Sequence, residues 1–269
     1  MTRQMQESLL AAPYGLQLLE LISQREAPTL TDDELNDLLT QLDFHISRYR
    51  GDYDEYVAEL KAKAPRQESL ARWLTQRMAR WWQDLDRGDQ VWLSPTSDPP
   101  EAPRLIPDLD RFHDEASKPK RAFWTSTQTL NEISPWLYWV TRGEARRPGP
   151  YNFWRVVVSP TARVAEVHSA EAWSALAHAY PSALVGYTFT GQKHPPKSAM
   201  RLDPDWSRVS RDWDGVHLSV GGWLTAEDAP AESGGVTTEL RGWNMESTAW
   251  FRWSFSSVEP LEGPHSIAG

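Results

Sequence analysis

Glu246 stands in Gly242-Trp243-Asn244-Met245-Glu246-Ser247-Thr248-Ala249-Trp250-Phe251-Arg252-Trp253, a lone acid among aromatics at the start of an expected strand. A carboxylate surrounded by indole rings loses hydration, so it must be paired, hydrogen-bonded or used chemically, and pockets are where such groups are retained. The plain alternative is a strand-edge Glu whose head reaches water. A second polar cluster lies far upstream, Trp124-Thr125-Ser126-Thr127-Gln128, where an aromatic strand ends in three consecutive hydroxyl side chains. Ser126 and Thr127 are suited to hold the Glu246 carboxylate and lock its rotamer.

Other chemistries find little support in the residue inventory. With no Cys in the chain, thiolate catalysis, disulfides and cysteine-ligated zinc are excluded. His168, His178, His194 and His217 lack the spacing of a helical metal site, so no metal is expected, and His217 within an alternating strand reads as a structural histidine. Gly221-Gly222 and Gly234-Gly235 lack the neighbours of a P-loop or dinucleotide fingerprint. Ser126 lies between two threonines rather than in the small-residue elbow of a Ser-His-Asp hydrolase.

Four features taken in order resemble a bacterial mono-ADP-ribosyltransferase of the toxin type, over roughly residues 90–261. They are the strand ending in Thr125-Ser126-Thr127, Arg163-Val164-Ala165-Glu166-Val167-His168 before a helix with Trp173, Asp212-Trp213-Asp214-Gly215-Val216 leading a strand, and the late Asn244-x-Glu246. The resemblance implies a split β-sandwich that binds NAD, as substrate, without a Rossmann motif. It implies that the strand of Thr125, Ser126 and Thr127 braces the pocket, that Glu246 bonds the nicotinamide ribose, and that Asn244 approaches the acceptor. Trp124 or Trp92 would stack on a ring of NAD, although each also fits a core position. The family's first strand usually carries an Arg or His, yet Val91-Trp92-Leu93-Ser94-Pro95 supplies neither, leaving Arg104 or Arg121 as substitutes for fastening NAD. Glu239 is the alternative acid. Without a basic group at the pocket, an inactive relative is implied instead.

Two stretches of different pattern must position these residues. From residue 1 to 88 the chain reads as a helical bundle. Leu16, Leu18, Leu19, Leu21 and Ile22 mark one helix between Pro13 and Pro28, and Thr31 with Glu34 forms a capping box for a second containing Leu35, Leu38, Leu39, Leu42 and Ile46. Tyr53, Tyr56, Val57 and Leu60 suggest a third, and Leu70 to Leu85 a fourth whose Trp73, Trp81 and Trp82 stripe reads as core or docking face. Residues 89–262 switch to short apolar runs: 91–93, 122–124, 153–158, 164–167, 215–220 and 249–255 are expected strands, with helical patterns near 135–140 and 169–180. The expected class is α+β, with a mainly β second domain. Polar loops are expected over 98–120 and 227–235, and a disordered tail over 263–269.

Composition sets the outer limits. The 269 residues are 40% hydrophobic, enough for a packed interior, and carry 15 Trp, each needing a core or a flat partner to cover it. A net charge of -9 disfavours a phosphate-backbone binder without excluding a local basic groove. No run is long enough to span a bilayer and the start is a poor signal peptide, so a soluble cytoplasmic protein is expected, with delivery as an effector left open. The expected partners are an unidentified acceptor, macromolecular or small, and an antitoxin or inhibitor if the protein is a toxin or defence enzyme. A Trp-rich interaction protein without catalysis is the alternative.

Overall fold

The computed structural model describes residues 2–48, 53–94, 118–119, 122–127, 152–182, 201–243 and 245–261. The readings of Arg104, Arg121, Asn244, the helical pattern near 135–140, most of the loop over 98–120 and the tail over 263–269 lie outside them.

The described chain is α+β, with helices followed by a curled, mainly β unit. Helices α1 (Thr2–Ala11), α2 (Pro13–Ser23), α3 (Asp32–Arg48), α4 (Tyr53–Lys63) and α5 (Glu68–Arg77) come first. Helix α2 starts with Pro13 at its first turn, where a missing N–H costs nothing, and buries Leu16, Leu18, Leu19 and Ile22. The capping box is present: Thr31 N–H donates to Glu34 Oε2 at 2.7 Å, and Glu34 N–H donates to Thr31 Oγ at 3.2 Å. No helix among the described residues is long and apolar enough to cross a membrane.

The sheet contains β1 (Gln90–Ser94), β2 (Phe123–Thr127), β3 (Asn152–Val158), β4 (Val164–Val167), β5 (Gly215–Leu218), β8 (Ser247–Trp250) and β9 (Phe255–Pro260), in the order β4-β5-β8-β2-β1-β3-β9. Among the described strands of this sheet only β4 and β5 run parallel to each other; α6 (Ala170–Ala179) and α7 (Trp206–Asp212) lie between them in the chain. Helix α8 (Val220–Ala226) follows β5, and β6 (Ala231–Ser233) with β7 (Val236–Thr238) forms a separate hairpin. Along the seven strands the seam between β1 and β2 is brief. Among the described residues it pairs Gln90 with Thr127 and Val91 with Ser126, whereas β1 and β3 pair at five positions. That seam lies at the end of β2, while the ladder of β2 with β8 stops at Thr125, so β2 parts from β8 over Ser126 and Thr127.

Four expected elements have different bounds, for local reasons. The fourth helix stops at Arg77 and continues as a 3₁₀ turn, Ala79–Trp82, which seats the Trp82 indole on Gly221. The strand expected over 215–220 ends at Leu218, because the Ser219 side chain accepts from Gly222 N–H at 3.0 Å and caps α8. The strand expected over 249–255 divides into β8 and β9: Phe251 N–H donates to the Asp214 carbonyl at 2.9 Å, and the Arg252 guanidinium pairs with Asp214 at 3.1 Å. The polar loop 227–235 contains β6, and its turn uses Gly234 (φ 59) and Gly235 (φ 77), left-handed conformations that favour glycine.

One hydrophobic cluster runs from the helices into the sheet, including Leu18, Leu38, Leu74, Trp81, Trp173, Leu218, Trp223 and Ala249. At its centre a Cβ on Gly221 would lie 2.2 Å from the Trp82 ring, and one on Gly222 would lie 2.1 Å from the Val167 carbonyl. Gly221→Ala is therefore expected to lower stability by about 1–3 kcal/mol through overpacking. Urea unfolding of the variant beside the wild type measures this, and equal midpoints would refute the tight seating.

Candidate functional site

Strand register brings the two polar stretches together. The ladder between β2 and β8 pairs Phe123 with Trp250, Trp124 with Ala249 and Thr125 with Thr248. Two positions further along β2, Thr127 meets Glu246, which precedes β8 and supplies a side chain in place of the next ladder partner. Thr127 N–H donates to Oε1 and Oε2 of Glu246 at 3.0 and 3.2 Å, and Ser126 Oγ donates to Oε2 at 2.6 Å. Glu246 is 2% exposed, so without these donors the burial of its carboxylate would be costly.

A third donor comes from the other flank. His217 on β5 contacts Glu246 Oε1 through Nε2 at 3.3 Å and Glu166 Oε2 through Nδ1 at 2.5 Å. Glu166 and His217 are direct partners in the parallel pairing of β4 and β5, which explains their contact. The other Glu166 oxygen accepts from Leu85 N–H at 3.2 Å. Burial alone would drive the His217 imidazole towards its neutral form; the hydrogen bonds and charges of Glu166 and Glu246 outweigh it and raise the pKa from 6.5 to about 9. Two carboxylates around one imidazolium leave the trio with a net negative charge.

The Glu246 carboxylate borders a cleft of about 310 Å³. Thr127, His217, Ser219, Val220 and Glu246 form the sheet side. Arg80, Trp81, Gln83, Asp84 and Asp86 form the opposing side, from the 3₁₀ turn after α5 and the connector into β1. Arg87 anchors that connector by donating to the Ser159 and Ala162 carbonyls at 2.9 and 3.0 Å. Arg80 brings a cation to the cleft and is paired with Asp32 at 2.8 Å. Asp84 Oδ1 lies 3.0 Å from His168 Nε2, and His168 Nδ1 lies 2.9 Å from Ser219 Oγ. Ligand-type atoms of Asp84, Glu166 and His168 lie within 4.8 Å of one another; His168 is hydrogen-bonded to Asp84 and Ser219, and Glu166 separately to Leu85 and His217.

The remaining expected site residues have other surroundings. Thr125 is buried; its Oγ donates to Gln90 Oε1 at 2.7 Å and accepts from Trp250 Nε1 at 2.8 Å, while Gln90 Nε2 donates to Thr127 Oγ at 2.8 Å. Thr125 therefore braces β2 rather than lining the described cleft. Trp124 packs edge-on against Trp243 at 5.1 Å, and the Lys118 ammonium stands 4.6 Å from its ring. Trp92 packs on Phe123 at 5.3 Å. Neither indole is part of the described cleft wall. Glu239, the alternative acid, pairs with Arg241 at 2.8 Å, away from that wall.

No protein-family model, curated protein or solved structure matches this chain. The site must be understood from its own geometry.

That geometry includes residues without a site role in the sequence reading, in which His217 is a structural histidine. Glu166 and His217 carried a signal, since each is an ionisable residue inside a short apolar strand. Arg80 and Asp84 carried none, because the bend after Met78 that turns their segment towards the sheet is set by packing.

The raised pKa of His217 has a consequence for stability. Its folded value, about 9, exceeds the ordinary 6.5 of an unfolded chain, so its contribution is complete below pH 6.5 and lost as pH rises through about 9. Thermal melts of the wild type should therefore fall across this window, while His217→Gln should show a shallower decline. Parallel curves for the two proteins would contradict the assignment.

Proposed function

We propose that this protein is an NAD-dependent mono-ADP-ribosyltransferase, releasing nicotinamide and transferring ADP-ribose to an acceptor that the chain does not identify. The observation that carries the reading is the 2.6 Å contact between Ser126 Oγ and Glu246 Oε2 beside an accessible cleft. The resemblance of the Thr125-Ser126-Thr127 and Asn244-x-Glu246 motifs adds to it, as does an α+β chain in which β2 parts from β8 at Ser126 and Thr127.

In this reaction the bond between ribose C1′ and the nicotinamide nitrogen breaks, and its electron pair leaves with nicotinamide. Positive charge develops on the sugar. A fixed carboxylate that has already lost its water stabilises this charge more in the transition state than in the ground state. Glu246 is that carboxylate, and the net negative charge of the Glu166–His217–Glu246 trio preserves its effect. Ser126 and Thr127 hold it from β2. The acceptor then bonds C1′ and gives up a proton; with water as acceptor the outcome is NAD hydrolysis. Trp81 offers the cleft an aromatic wall and Arg80 a cation near the anionic end of the substrate. A cleft of about 310 Å³ suits the nicotinamide-ribose end, with the remainder of NAD extending from its mouth.

A second reading, as a non-catalytic interaction protein, is favoured by the partly buried cluster of Trp92, Phe123, Trp253 and Phe255, whose neighbouring rings lie 4.9 to 5.7 Å apart. NAD separates the two. On the transferase reading, nicotinamide release is measurable with purified protein, and Glu246→Gln lowers kcat by about 10²–10³-fold while circular dichroism shows a folded protein. Undiminished turnover in Glu246→Gln would overturn the role of Glu246. No thermal shift and no nicotinamide release across a millimolar NAD titration would favour the interaction protein.

A further inference from the structure

Carboxylate oxygens accept hydrogen bonds, so an imidazole with such an oxygen at each nitrogen must donate from both. His217 occupies that position, with Glu166 Oε2 at 2.5 Å from Nδ1 and Glu246 Oε1 at 3.3 Å from Nε2. The ring is 3% exposed, and neither contact is a surface pairing that water would readily replace. We propose that His217 is a positioning residue for the transfer reaction, clamped between Glu166 and Glu246 so that the Glu246 carboxylate is held towards the cleft. The inference rests on the proposed role of Glu246.

Three observations support the clamp. Ser126 and Thr127 hold Glu246 from β2 alone, which fixes the carboxylate on one flank. His217 reaches Oε1 from β5, so donors from two strands resist rotation of the same group. The ring in turn has a fixed neighbour, because Glu166 is its register partner on β4 and is anchored through its second oxygen to Leu85 N–H at 3.2 Å. Leu85 belongs to the segment that forms the opposing side of the cleft. The chain Leu85–Glu166–His217–Glu246 thus ties the two walls together through the carboxylate that faces the sugar.

The electrostatic surroundings are compatible with a doubly donating ring. Glu166 faces it from β4 and Glu246 from the turn before β8, while Arg80, Asp84 and Asp86 line the other side of the cleft. His168 lies beyond Asp84 and is occupied by Asp84 and Ser219. Against the penalty of burial, the two carboxylates keep the His217 pKa at about 9.

The test uses the full chain, with NAD as probe. Histidine-labelled protein followed by NMR should show both His217 nitrogens protonated at neutral pH and loss of one proton near pH 9, shifted lower in Glu166→Gln. In turnover, His217→Gln should lower kcat by about 10–100-fold while changing the KM for NAD little, the loss expected when the group behind a catalytic residue is removed. The wild-type kcat should decline above pH 9, and the decline should move to lower pH in Glu166→Gln along with the NMR titration. A merely structural histidine would leave that kinetic limb in place. Normal kcat in His217→Gln, or a limb that stays put while the NMR titration moves, would overturn the positioning role with the transferase reading intact. Absence of wild-type NAD turnover would instead overturn the transferase reading and the positioning role together, whatever the NMR titration showed.

Discussion

Burying a carboxylate is the constraint around which the described structure is organised. Glu246 is almost wholly removed from solvent, and a lone anion in such surroundings would destabilise the fold by several kcal/mol. Its compensation comes from distant parts of the chain: a serine hydroxyl and a backbone N–H on β2 and an imidazole on β5. Each donor requires its strand to hold a particular register, because a one-residue slip turns side chains to the opposite face. The ladder of β2 with β8, the ladder of β8 with β5 and the parallel pairing of β5 with β4 are therefore all coupled to one side chain.

The helices belong to the same arrangement. Their apolar faces continue into the cluster behind β4, β5 and β8, and Trp82 rests on a glycine that leaves room for its ring. This contact directs the connector after α5 across the end of β2, where Arg80, Trp81 and Asp84 confront Glu246. The many tryptophans are largely explained by packing. Trp173, Trp223, Trp243 and Trp250 are among the largest fully buried side chains, and Trp250 also spends its indole N–H on Thr125.

Much of the local structure was legible in the sequence because the signals were local. Thr31 and Glu34 announced a helix start, Pro13 another, and the apolar runs at 153–158 and 164–167 fall within strands. The union of Ser126 with Glu246 was legible in part, as two polar exceptions in aromatic surroundings. The clamp on His217 was not, since it depends on which strand lies beside β4 and in what register, and a sequence motif does not carry that information. Trp92 and Trp124 show the opposite difficulty: an indole beside a candidate site has the same sequence signature whether it awaits a ligand or packs against another ring. The 3₁₀ turn after Arg77 arose from competition between helical periodicity and the fit of Trp82 on Gly221, and the tertiary contact prevailed.

The distance along the chain between the opposing walls bears on synthesis. Arg80 and Trp81 are made before β2, and Glu246 follows Thr127 by 119 residues. A ribosome-bound intermediate that has not reached residue 246 lacks both the anion and the strand that follows it. The carboxylate side of the cleft is consequently assembled only once residue 246 is available, so translation lays down the opposing wall before the acid it faces.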